Sequence, residues 1–139
     1  MSFGAMMRNE MSVPLVGIID DDESVRDSIS SLLRSVGYRT VVFASADAFL
    51  ESEYLDEGSQ GMILLLDIHM PGLNGLELQR LLADLNCPIP IIFLTADEDH
   101  TNRAMALQQG AFAFLLKPFS ADAILVAISS ALESRIQKR

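Results

Sequence analysis

Five polar residues stand where short apolar runs stop, and their chemistry is complementary. Asp20 and Asp21 follow the run 15–19, Asp67 follows 62–66, Thr95 follows 89–94 and Lys117 follows 113–116. A lone aspartate in such a place is ordinary, since it caps the next helix and suits the positive end of its dipole; Asp22 and Glu23 are read that way. Three carboxylates drawn to one place are not ordinary, because they repel unless positive charge offsets them. Asp20, Asp21 and Asp67 against the one ammonium of Lys117 leave two negative charges, which a divalent cation balances. With oxygen donors, no thiolate and no histidine pair at ligand spacing, the set selects Mg2+, with Mn2+ tolerated. That ion commonly shares its shell with a phosphate. The Thr95 hydroxyl and the Lys117 ammonium then supply the donor and the point charge that phosphoryl oxygens require. Asp67 is the candidate nucleophile, with Asp20 and Asp21 holding the metal.

For these residues to meet, the runs must lie side by side and point one way. The runs 15–19, 39–43, 62–66, 89–94 and 113–116, here β1 to β5, are near-continuous in apolar residues, the pattern of parallel strands covered on both faces. Helical stripes fill the gaps. Val25, Ile29, Leu32, Leu33 and Val36 line α1, which Gly37 ends; Ser45 caps α2, with Asp47 in its first turn. Asn74 and Glu77 stand at capping-box spacing ahead of Leu78, Leu81, Leu82 and Leu85 in α3. The helix α4 spans 99–109 before Gly110, and Ile124, Ile128, Leu132 and Ile136 form the buried face of α5. This alternation, with right-handed crossovers, predicts an α/β fold: a doubly wound, five-stranded parallel sheet in the order 2-1-3-4-5, flavodoxin-like. Ligands of such sheets sit outside the carboxyl ends of the strands where the order reverses, here between β1 and β3, and Asp67 follows the central strand.

Composition narrows the function. A chain of 139 residues, 50% hydrophobic and 21% charged, suits one compact domain, read as 13–139 behind a loose leader at 1–12. A net charge of −9 argues against direct nucleic-acid binding. One cysteine, Cys87, allows no internal disulfide and points to the reducing cytoplasm. No apolar run approaches the ~20 residues that span a bilayer, and the leader lacks the long apolar stretch of a signal peptide.

Four segments in order, Ile18-Ile19-Asp20-Asp21-Asp22-Glu23-Ser24-Val25-Arg26, Leu66-Asp67-Ile68-His69-Met70-Pro71-Gly72-Leu73-Asn74-Gly75, Phe93-Leu94-Thr95-Ala96 and Lys117-Pro118-Phe119, resemble the receiver domain of two-component response regulators. The resemblance runs from about Val13 to Leu132, and from Pro90 onward it is nearest to receivers of the FixJ and NarL type, whose outputs are usually helix-turn-helix domains. It implies that Asp67 accepts a phosphoryl group from the phosphohistidine of a sensor histidine kinase. It implies that Asp20, Asp21, Asp67 and the backbone carbonyl of His69 bind Mg2+, with Thr95 and Lys117 on the phosphoryl oxygens. Phe114 matches the switch aromatic of the family, lacking the hydroxyl of the more usual tyrosine, and the Lys117-Pro118 bond is expected to be cis. The output surface is then α4, β5 and α5, a face for a partner or a homodimer, with Arg103 and Gln109 as members.

Other readings compete at particular residues. His69 and Asp97 flank the path of a water attacking the phosphorylated form and can tune its lifetime; His69 reads equally as a solvated loop residue. His100 begins α4 on the surface, and Met62, Met70 and Met105 read as packing residues. A phosphatase of the haloacid dehalogenase kind also uses a nucleophilic aspartate and Mg2+, but it needs a second aspartate two positions on, where this chain has His69. A nucleotide-binding module needs a glycine-rich loop after β1, where this chain has Asp20-Asp21-Asp22.

Overall fold

The computed structural model describes residues 13–55, 61–96 and 100–137. The expected leader at 1–12 and Asp97 therefore lie outside the described residues. The chain alternates strictly: β1 (Leu15–Ile19), α1 (Glu23–Ser35), β2 (Arg39–Phe43), α2 (Ala46–Leu50), a 3-10 turn (Glu53–Leu55), β3 (Met62–Asp67), α3 (Gly75–Asp84), β4 (Ile91–Thr95), α4 (His100–Gln108), β5 (Ala113–Leu116) and α5 (Ala121–Gln137). The five strands form one parallel sheet in the order β2-β1-β3-β4-β5, as expected.

Alternation along each strand divides the core in two. Met62, Leu64 and Leu66 of β3 join Ile19, Phe43, Phe49, Leu78 and Phe93 on the α2–α3–α4 side. Ile63 and Leu65 join Val16, Ile18, Ile29, Leu33, Ile92, Ile124 and Ile128 on the α1–α5 side. Each fully buried aliphatic side chain contributes about 1.5–3 kcal/mol. Burial on both faces holds for β1, β3 and β4 but not for β2 and β5, which lie at the sheet edges and keep partly exposed residues.

Several boundaries differ from expectation, each for a local reason. β4 begins at Ile91 rather than 89, because Pro88 and Pro90 have no N–H to give the ladder; the Pro90 carbonyl still accepts from Leu64 N at 2.9 Å. Asp67 and Thr95 are the last residues of their strands rather than the first beyond them, opposite Leu94 and Leu116 respectively, so the ladder itself holds both. The stripes of α1 and α3 stop one member early: Val36 and Leu85 are C-cap residues, 51% and 54% exposed. Met62 and Met70 are buried, but Met105 is exposed on α4. Gln109 lies one residue past the end of that helix.

The end of β3 and the start of α3 are packed backbone to backbone. Asn74 and Glu77 form the expected capping box, each side chain accepting from the other's amide at 2.8 Å. Gly75 N donates to the Ile68 carbonyl at 2.9 Å, and a Cβ on Gly75 would collide with the Asp67 carbonyl and lie 3.0 Å from Ile68 Cα. Backbone cannot retreat as a side chain can. Gly75→Ala, which in an open helix would gain up to ~1 kcal/mol, is therefore expected to lose about 1–3 kcal/mol in urea unfolding through overpacking. A neutral or stabilising result would refute this close approach.

Candidate functional site

Asp20, the first residue past β1, is held at every polar atom the loop can reach. Its amide donates to the Phe43 carbonyl at 3.2 Å, its Oδ1 accepts from Asp22 N at 2.9 Å, and its carbonyl accepts from Arg26 Nη1 at 2.8 Å. Lys117 Nζ donates to its Oδ2 at 2.9 Å. The same ammonium lies 3.6 Å from Asp67 Oδ2, so one cation spans two carboxylates that are almost wholly buried. Asp21 completes the group from the solvent side. Asp20, Asp21 and Asp67 each offer an oxygen within 4.8 Å of the others, a spread close to the width of an Mg2+ shell with bonds of about 2.1 Å. The donors are hard carboxylate oxygens, and the cluster fits a hard divalent ion.

Lys117 reaches the cluster because its backbone is fixed. Its amide donates to the Thr95 carbonyl at 2.7 Å, and the Lys117-Pro118 bond is cis, as expected. Thr95 is fully buried at the end of β4. Gly72 turns the chain away from Asp67 with φ +78°. The His69 side chain is exposed, while its backbone amide donates to the Asp67 carboxylate. Asp22 caps α1, accepting from Ser24 N at 2.9 Å, with Glu23 in the first turn as expected.

The Asp67 carboxyl is pushed up from 3.8 to about 6, first by burial and then by the Asp20 charge, against the pull of Lys117 and the His69 amide; the Asp21 charge adds to the rise. Burial opposes the charge on Lys117, yet hydrogen bonding to Asp20 and the charges of Asp67 and Asp20 outweigh it and hold the ammonium above its usual value. At neutral pH the site holds an ionised Asp67 carboxylate beside a fixed cation.

Further out, Phe114 on β5 is half-buried, its ring 6.2 Å from that of Phe93 and 5.9 Å from the Arg103 guanidinium. Arg26 is the neighbour that the sequence analysis did not single out. A signal for it existed: with Asp22 as N-cap, Arg26 stands one turn into α1, at the mouth of the site.

Residues 16–129 match the response regulator receiver domain family. The chain belongs to that family. It is 40% identical over 134 residues to the response regulator protein TmoT of Ectopseudomonas mendocina, covering 96% of this chain and 58% of the relative. Nodulation protein W of Bradyrhizobium diazoefficiens is 42% identical over 125 residues, 90% of this chain and 54% of its own length. The chain thus spans little more than half the length of these relatives. Among solved structures, the crystal structure of FixJ-N superposes with a TM-score of 0.78 at 36% identity, over 86% of this chain and 94% of that one. The low-resolution structure of the response regulator StyR gives 0.81 at 40% identity, over 91% of this chain and 62% of that one. Receiver domains are regulatory phosphoacceptors that interact with sensor histidine kinases and typically bind Mg2+.

Because burial raises the Asp67 pKa, the ionised carboxylate costs the folded receiver stability above pH 6, and that cost fades as pH falls toward the unfolded value. Asp67→Asn in chelator is expected to be more stable than the parent at pH 8 by on the order of 1–3 kcal/mol. The gap should narrow steadily as pH falls through 6 toward 4.5. Thermal melts followed by circular dichroism across this range check it, and a pH-independent difference would contradict it.

Proposed function

We propose that Asp67 is the phosphoacceptor of this receiver and that its modification switches the α4–β5–α5 face. One observation supports this above all: the Lys117 ammonium is shared between Asp20 and Asp67 at the end of the central strand, 2.9 and 3.6 Å away. In the transfer, a carboxylate oxygen of Asp67 attacks phosphorus as the P–N bond of a kinase phosphohistidine breaks. The departing imidazole nitrogen takes the bonding pair and a proton from solvent, and the phosphoryl group ends as an acyl phosphate on Asp67. Asp20, Asp21 and Asp67, with the His69 carbonyl, are the residues that would hold Mg2+, with Mn2+ as a substitute. When bound, the ion lowers the repulsion between the anionic nucleophile and the anionic phosphoryl group. Lys117 provides a point charge to the transferred oxygens, and the Thr95 hydroxyl a donor. The exposed His69 side chain stands over the approach of water and sets the lifetime of the product. Asp97 is proposed for the same role from its sequence position alone.

The same reading gives the domain an output rather than an external substrate. Phe114 and its neighbours relay the change to α4, β5 and α5, on which Met105, Leu107, Leu116 and Val126 are exposed. Apolar side chains exposed on these three elements suit a protein partner or a second copy. Relatives of this chain are described as transcriptional regulatory proteins, and we assign this receiver to transcription control through an effector rather than through its own contact with nucleic acid, in keeping with a charge of −9. Among the described residues no helix is long and apolar enough to cross a membrane, and we place the switch in the cytoplasm with its kinase's catalytic region. The phosphatase reading draws no support from His69, which offers no carboxyl group two residues beyond Asp67.

With acetyl phosphate and Mg2+, intact mass should show one phosphoryl group on the parent and none on Asp67→Ala. The absence of tryptophan rules out indole quenching as a reporter. Label retained on Asp67→Ala would refute the assignment. His69→Ala should change the decay rate of the phosphorylated form several-fold and leave Mg2+ affinity nearly intact, since the proposed metal contact is backbone; equal decay rates would return His69 to a solvated loop residue.

A further inference from the structure

Asp20 and Asp21 are joined by one peptide unit, and that unit is the part of the acidic cluster the sheet does not hold. The Asp20 amide extends the ladder to the Phe43 carbonyl at 3.2 Å, but among the described residues no backbone amide donates to the Asp20 carbonyl. Arg26 Nη1 meets it at 2.8 Å. We infer that Arg26 is a positioning residue for the metal-binding carboxylates: its guanidinium fixes the Asp20–Asp21 peptide in the orientation that turns both side chains toward Asp67. This rests on the proposed reading of the cluster as the Mg2+ site.

Four features carry the inference. A peptide is planar, so fixing the direction of the Asp20 carbonyl also fixes the Asp21 N–H and Cα at the other end of the unit. Asp21 is the exposed member of the cluster, whereas Asp20 and Asp67 are 1% and 6% exposed and packed in place. The loop is closed by a second bond, Asp22 N to Asp20 Oδ1 at 2.9 Å, and Asp22 caps the helix that carries Arg26. The tie is therefore rigid at both ends, from the cap to Arg26 one turn later. Finally, Arg26 engages a neutral carbonyl, while the ion pairs at the buried carboxylates belong to Lys117. A planar guanidinium reaching a carbonyl leaves carboxylate oxygens available to a metal.

Charge and position act with opposite signs here, which makes the inference testable. A nearby cation by itself repels Mg2+, so if Arg26 mattered only as charge, its removal would tighten binding. If Arg26 orients the ligands, its removal loosens binding. Calorimetric titration with Mg2+ alone, at fixed ionic strength, should show Arg26→Met weakened about tenfold, the loss seen when supporting groups of metal ligands are removed. Arg26→Lys, which keeps the charge and a donor on a long stem, should recover most of that affinity. Phosphorylation of Arg26→Met by acetyl phosphate should approach the parent rate at saturating Mg2+, because the defect lies in holding the ion. Urea unfolding in chelator separates these effects from a general loss of fold. Affinity in Arg26→Met equal to or tighter than the parent overturns the inference, whatever the change in stability. A parent that takes up neither Mg2+ nor a phosphoryl group overturns the reading of the site, and the inference with it.

Discussion

Like charges held close together in a poorly solvated place set the terms for the rest of this structure. Asp20 and Asp67 are nearly buried, and with Asp21 they bring three carboxylate oxygens within 4.8 Å. Separated, each would lose its repulsion and regain water, so the fold must hold them by force. It does so with rigid parts. Asp67 is still in the ladder of β3, Asp20 is tied to β2 through the Phe43 carbonyl, and Lys117 is tied to β4 through the Thr95 carbonyl. The raised pKa of Asp67, at about 6, is the visible residue of the conflict: Lys117 and the His69 amide reduce the cost of the charge without cancelling it.

The stability that offsets this lies beneath the site. Every residue of β3 and β4 is buried, and the two faces of the sheet are packed by separate clusters. Apolar strands in the middle of a parallel sheet tolerate such a burden because their contribution is large and lies at a distance from the charges. The backbone approach of Gly75 to Asp67 and Ile68 belongs to the same economy: α3 seals the end of the central strand so closely that only a residue without a Cβ fits. The site's rigidity and its strain therefore come from the same contacts.

Much of this was legible in the sequence, because the signals were long or chemically distinctive. The five apolar runs gave the strand order through general rules of handedness, and the polar residues at their ends gave the site. What escaped depended on single atoms or on edges. The run 89–94 reads as strand by hydropathy, but a proline's missing N–H moved its start to Ile91. Val36 and Leu85 fit apolar stripes and Met105 reads as a packing residue, yet each is 41% exposed or more, because neither periodicity nor residue type tells which positions of a helix are covered. β2 and β5 have the composition of inner strands and the burial of edges, a difference set by order in the sheet rather than by residue type. Arg26 was harder to read: its place one turn past the Asp22 cap was legible, but its bond is to a backbone carbonyl, and no pattern of side chains announces which carbonyl lacks a ladder partner.

The route from the site to the surface is governed by how little of α4 is buried. Ala106 is the buried residue of that helix. Beyond it, Gln79 Nε2 on α3 donates to the Ala106 carbonyl at 2.9 Å while its buried Oε1 has no hydrogen-bond partner, so the tether is half-satisfied. Arg103 over the Phe114 ring at 5.9 Å adds a contact worth about 0.5–1 kcal/mol at such a site. Phe114 pairs in register with Phe93, and two residues on Thr95 pairs with Leu116, next to Lys117. A change at the Thr95–Lys117 end thus meets the aromatic pair within the same two strands. Modification shifts an equilibrium only by its difference in free energy between the two states. A helix of which Ala106 is the buried residue requires a small difference, whereas β3 and β4, buried throughout, would require a large one. On the proposed reading, the switch moves α4 and the β5 edge because the sheet beneath them cannot move.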